Sequence, residues 1–160
     1  MEDIVTGTNI VKIFGTGEEQ VKALNSVNAQ IKRGEFTAVM GPSGSGKTTL
    51  LHVLSGMDSI TGGSVKFMDK ELSGLSEDGL ADIRRTKMGF IFQQPAMLKN
   101  LNLLDNIILP AALGGRRAAA GSVQRARVLM KEMGIGGLEH RDTRAVSGGQ
   151  LQRAGICRAL

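Results

Sequence analysis

Apolar residues recur along this chain in two rhythms. Residues 4–13 and 21–31 read as strands, most plainly where Val27, Ala29 and Ile31 alternate with polar neighbours before the turn Lys32-Arg33-Gly34-Glu35. Phe36-Thr37-Ala38-Val39-Met40 is a short apolar run rich in β-formers and predicts a buried strand. Thr61-Gly62-Gly63 turns into a further strand over Ser64–Met68, and Met88-Gly89-Phe90-Ile91-Phe92 predicts a second short apolar one. Helical spacing groups Leu50, Leu51 and Leu54 on one face, with Gly56 as the stop, and Ser76 caps a helix predicted over Glu77–Arg85. Beyond residue 100 the helical rhythm dominates. Leu104, Ile107, Ile108 and Ala111 share a face; Gly114-Gly115-Arg116-Arg117 makes a break; Ser122 caps a helix running to Met133 and stopping at Gly134. A final helix spans Leu151–Leu160.

Between the Phe36–Met40 run and the Leu50–Leu54 face lies Gly41-Pro42-Ser43-Gly44-Ser45-Gly46-Lys47-Thr48-Thr49, which fits the phosphate-loop pattern G-x-x-x-x-G-K-[ST]. Its glycines take backbone angles that a β-carbon forbids, so successive N–H groups can turn toward one point at the start of a helix. Such a nest, backed by the helix dipole, binds polyphosphate. Lys47 adds a positive charge for the β- and γ-phosphates, and the Thr48 hydroxyl is a ligand for Mg²⁺.

Composition changes this picture little. The 160 residues are enough for one domain with a core, and 41% hydrophobic with 22% charged content is ordinary for a globular protein. The lone Cys157 excludes an internal disulfide, suits a reducing compartment and reads as a small buried apolar residue, while Met130 and Met133 read as core filler. No run has the length of a transmembrane helix, and Met1-Glu2-Asp3 is unlike the start of a signal peptide. The net charge of +5 is uneven: residues 1–115 hold 11 Lys/Arg against 12 Asp/Glu, and residues 116–160 hold 9 against 3. With no Trp or Tyr and five Phe, little is available for base stacking, so nucleic acid is a poor partner.

Two shorter motifs gain meaning from order. Gln93 follows the Met88–Phe92 run, where an amide at a strand edge can touch Mg²⁺ or water. Val146-Ser147-Gly148-Gly149-Gln150 opens the last helix with a hydroxyl and two unhindered amides, a second anion site by the same physics, although Ser-Gly-Gly also serves as an ordinary cap.

Taken in order, these motifs resemble the nucleotide-binding domain of ATP-binding cassette (ABC) transporters, over essentially the whole chain. Gly41–Thr48 looks like Walker A, Gln93 like the Q-loop glutamine, and Val146–Gln150, extended by Leu151-Gln152-Arg153-Ala154, like the signature motif. Phe14, in the loop Phe14-Gly15-Thr16-Gly17, matches the aromatic that stacks on adenine. Phe92-Gln93-Gln94, Leu109-Pro110 and the Walker A wording look most like the bacterial lipoprotein-release, macrolide-export and antimicrobial-peptide-export group.

The resemblance implies an α/β fold: a P-loop NTPase core with an N-terminal antiparallel β subdomain and a helical subdomain insertion. The core's first part would cover 1–94, the helical subdomain 95–145, and the signature with its helix 146–160. It implies ATP and Mg²⁺ as ligands. Lys47 and Gln93 would be catalytic and Thr48 and Gln93 would hold metal. Phe14, Gly41, Pro42, Ser43, Gly44, Ser45, Gly46, Lys47, Thr48, Thr49, Ser147, Gly148, Gly149 and Gln150 would bind nucleotide. It also implies a head-to-tail second copy and a transmembrane permease, on the cytoplasmic face of the membrane. ATP favours the closed pair because each motif holds part of the phosphate chain.

Two departures are mild: Val146 where leucine is usual, and Phe14 where tyrosine is common. A third is larger. The family's Walker B strand and switch histidine lie beyond Ala159-Leu160, and neither His52 nor His140 matches the switch position. The expectation is that residues 1–160 bind nucleotide weakly, hydrolyse it negligibly and expose apolar strand edges that promote aggregation. A different P-loop NTPase, an ABC ATPase acting on nucleic acid, or a fragment that binds ATP and nothing more stands as a rival.

Overall fold

The computed structural model describes residues 2–115 and 121–160, which divide into two compact units, through Arg84 and from Arg85 onward. Arg116 and Arg117 of the expected break lie outside the described residues, as does Met1.

The first unit is built on a hairpin. Strands β1 (Asp3–Phe14) and β2 (Val21–Lys32) pair antiparallel, with Val5 opposite Ile31 and Ile10 opposite Val27. Strand β3 (Gly62–Phe67) pairs with the other edge of β1, and the short β4 (Lys70–Glu71) completes the order β2-β1-β3-β4. Helix α1 (Lys47–Leu54) covers one face, burying Val53 and Leu54 with Ile10, Leu24, Val65 and Phe67. A β-carbon on Gly7 would stand 2.4 Å from Ile10 and 3.2 Å from Leu54, so the absent side chain is what lets the helix close on the sheet. Helix α2 (Glu77–Lys87) starts as expected at Ser76, whose hydroxyl accepts from Gly79 N–H at 3.3 Å.

Two expected strands did not form. Phe36–Met40 and Met88–Phe92 run without a ladder partner among the described residues. Phe36 is 95% and Met40 87% exposed, so the first run is not buried either. Apolar β-formers supply the side chains of a central strand, but a strand also needs a neighbour's N–H and C=O groups. In the second run the rings of Phe90 and Phe92 stack on each other, with 6.1 Å between their centres.

Among the described residues the second unit is built on three α-helices: α3 (Leu103–Leu113), α4 (Ser122–Glu132) and α5 (Gly148–Ala159). Their shared core is Leu103, Leu104, Ile107, Ala126, Met130, Ile135, Ala154 and Cys157. Cys157 and Met130 therefore serve as apolar filler, as their residue types predict, and burial raises the Cys157 thiol pKa. Gly121, at φ 78°, rather than Ser122, takes the capping position of α4. Asn106 is fully buried, and its side chain accepts from Leu98 N–H at 2.7 Å while donating to the carbonyls of Leu98, Leu101 and Asn102. One amide thus satisfies the turn that leads into α3. No helix among the described residues is long and apolar enough to cross a membrane.

Candidate functional site

The loop Gly41–Gly46 enters α1 through a conformation that only glycine takes easily. Gly46 caps the helix at φ 85°, and a β-carbon there would lie 2.6 Å from the Ala23 carbonyl of β2. The loop is thereby held against the sheet. Turn bonds from Ser45 N–H to Pro42 (3.3 Å) and from Leu50 N–H to Gly46 (2.8 Å) leave the intervening first-turn amides of α1 without helical carbonyl partners. The Lys47 ammonium folds back across the loop, donating to the carbonyls of Gly41 (2.9 Å) and Pro42 (2.6 Å).

An open cleft of about 520 Å³ lies over this loop, lined by Ser43–Thr49 together with Val21, Lys22 and Ala23 of β2. The lining holds two ammonium groups, Lys22 and Lys47, three hydroxyl-bearing residues of the loop and helix start besides Ser43, and no carboxylate. Its chemistry suits a polyanion. Lys22 was missed in the sequence, where it is an unremarkable polar position at a strand start. It reaches the cleft because the loop rests on β2, where Gly46 packs against the Ala23 carbonyl.

Phe14, the last residue of β1, is paired with Val21, which lines the cleft, and its ring is 44% exposed. The first unit therefore brings the aromatic, the loop, Lys47 and Thr48 together. Thr48 sits exposed in the first turn of α1, and its neutral hydroxyl oxygen is the kind of hard donor that Mg²⁺ accepts alongside phosphate oxygens. No group of three His, Cys, Asp or Glu that could hold a metal occurs among the described residues.

The second unit carries the other motifs. Gln93 is exposed, and its backbone carbonyl accepts from the Gln152 side chain of α5 at 3.5 Å. Helix α5 begins earlier than Leu151 because Ser147 and Gln150 form a reciprocal capping box. The Ser147 hydroxyl accepts from Gln150 N–H at 3.3 Å, and the Gln150 side chain accepts from Ser147 N–H at 2.8 Å. The Ser147 hydroxyl hydrogen and the Gly148 and Gly149 amides stay available, and a β-carbon on either glycine would meet nothing within 4 Å. Just upstream, the Arg144 guanidinium grips the Asp142 carboxylate at 2.6 and 2.9 Å and holds its pKa down at about 2.

Comparison with known proteins finds relatives over nearly the whole chain. The chain is 39% identical over 158 residues to the macrolide export ATP-binding/permease protein MacB of Aggregatibacter actinomycetemcomitans, covering 99% of this chain but 24% of that protein. It is 39% identical to the bacitracin export ATP-binding protein BceA of Halalkalibacterium halodurans, covering 98% of this chain and 62% of that one. The chain thus spans about a quarter of the macrolide-export relatives. Among solved structures it superposes with a TM-score of 0.87 on a dimeric post-hydrolysis state, bound to ADP and Pi, of the ATP-binding cassette MJ0796 of Methanocaldococcus jannaschii. That match has 36% identity and covers 98% of this chain and 68% of the other. Residues 24–160 match the ABC transporter family, and the chain belongs to that family.

Proposed function

We propose that this chain is the ATP-binding part of an export-type ABC transporter. The observation that carries the reading is the cleft over Gly41–Thr49, where α1, Lys47 and Lys22 present donors and positive charge with no opposing carboxylate. The triphosphate would lie along the loop amides, exchanging the contacts that the Gly41 and Pro42 carbonyls now make with Lys47 for phosphate oxygens. The base would stack on Phe14. A Mg²⁺ ion held by the Thr48 hydroxyl would supply charge neutralisation on the β- and γ-phosphates.

Ser147, Gly148 and Gly149 would close over the nucleotide of a second, head-to-tail copy. The dimeric state of MJ0796 and the relatives named as ATP-binding/permease proteins support a second cassette and a membrane partner. That partner would place the chain at the cytoplasmic face of the membrane. Hydrolysis needs a group that polarises the attacking water, and the cleft lining offers no carboxylate for this. Residues 1–160 are accordingly expected to bind ATP with negligible turnover.

Calorimetric titration of ATP–Mg²⁺ into residues 1–160 tests both points. Lys47→Ala should weaken binding about 10- to 100-fold, as expected for losing a charged hydrogen-bond donor. Unchanged binding, or robust phosphate release that Lys47→Ala abolishes, would sink the corresponding half of the reading.

A further inference from the structure

Lys12 is buried in the first unit, at 7% exposure, and none of the roles above uses it. Its ammonium donates to the Asp58 carboxylate at 2.6 Å and to the Ser59 carbonyl at 2.6 Å, and it stands 5.0 Å from the centre of the Phe14 ring. The backbone on either side is pinned as well. Val11 C=O accepts from Thr61 N–H at 2.8 Å, and Ile13 N–H donates to the Thr61 hydroxyl at 3.0 Å. Asp58 is itself tied to the helix that leaves the phosphate loop, because its N–H and that of Met57 both donate to His52 C=O in α1.

We infer that Lys12 is a positioning residue for Phe14: it fixes one face of the ring and leaves the other to a purine. This rests on the nucleotide-site reading above and deepens it. A cation against one face draws π density toward itself and away from the opposite face. The open face then meets the π cloud of a base with less repulsion. Burial removes the water that would screen the ammonium, and Asp58 and Ser59 satisfy two of its three donors, which holds it in place. The chain from α1 through Asp58 and Lys12 to Phe14 sets the ring relative to the phosphate loop. The recognised ligand is therefore a phosphate chain carrying a flat base, rather than polyphosphate alone.

Affinities for ATP and for inorganic tripolyphosphate, measured side by side, separate this role from simple stabilisation. Phe14→Ala should weaken ATP and spare tripolyphosphate; if both stay unchanged, the base is not held at Phe14, and the nucleotide-site reading and this inference fail together there. Given that result, Lys12→Met should weaken ATP about three- to tenfold while tripolyphosphate stays within about twofold. Lys12→Arg, which keeps a cation for the ring, should recover most of the loss. Equal weakening of both ligands by Lys12→Met, or no weakening of ATP, would overturn the positioning role while leaving the phosphate site standing. Asp58→Asn loosens the ammonium and keeps the side-chain shape. Should Lys12→Met fail to fold, as judged by its thermal melt, this variant decides: the same selective but smaller loss upholds the inference, and an unchanged ATP-to-tripolyphosphate ratio overturns it.

Discussion

Two helix N-termini carry Ser/Gly motifs here, and they treat the same local problem differently. At α5 the Ser147–Gln150 capping box meets the Gln150 and Ser147 amides and leaves those of Gly148 and Gly149 available. At α1 the cap is Gly46, which has no side chain to offer, and the preceding loop makes few bonds to itself. The first terminus is met partly from within; the second leaves its first-turn amides beside a cleft and adds Lys47. The difference teaches that glycine content alone does not set how much of a helix end is left to a ligand. What matters is how many of its amides the motif's own side chains take up.

The comparison can be broken at its strongest point first. Gly46→Ala places a β-carbon at positive φ and against the Ala23 carbonyl, so it should destabilise the first unit by about 2 kcal/mol or more. A denaturant melt checks this, and a neutral result would mean that the loop does not rest on β2 as described. Ser147→Ala acts on the other terminus and removes half of the capping box. A loss of about 1 kcal/mol is expected, read in the same melt or as faster amide exchange in the first turn of α5. Ser147→Asp, which preserves the cap, should keep most of the stability.

The smallest effect concerns the turn before α5. The Asp142 carboxyl is held at about 2, below its ordinary 3.8, by Arg144 and by the Arg144 backbone N–H. A depressed carboxyl stabilises the folded turn above its unfolded pKa, and that contribution is lost as pH falls from about 4 through about 2. Both groups are solvent-exposed, so the effect is modest and salt-sensitive. Titration of the Asp142 carboxyl carbon by NMR measures it directly, and Arg144→Gln should return the midpoint toward 3.8.

Some features were open to direct reading from the sequence. The strands β1 and β2, the phosphate loop, Ser76 as a cap and the helical face of α3 are each written in a continuous stretch of sequence. The Phe36–Met40 run shows where such reading stops. Its composition is that of a buried strand, yet it lies exposed, because ladder bonds must come from elsewhere. Asn106 reads as one polar residue on an apolar helix, and nothing nearby announces that it closes four hydrogen bonds to the preceding turn.

The sequence by itself determined the phosphate loop, the order of the motifs and the family they spell, since each is a short pattern whose chemistry is carried by adjacent residues. Only the tertiary structure decided the surroundings. Lys22 lines the cleft because the phosphate loop packs on β2, and Lys12 meets Asp58 from 46 positions away. Pairings of that separation depend on how strands and helices come together, and no local preference of the chain encodes them.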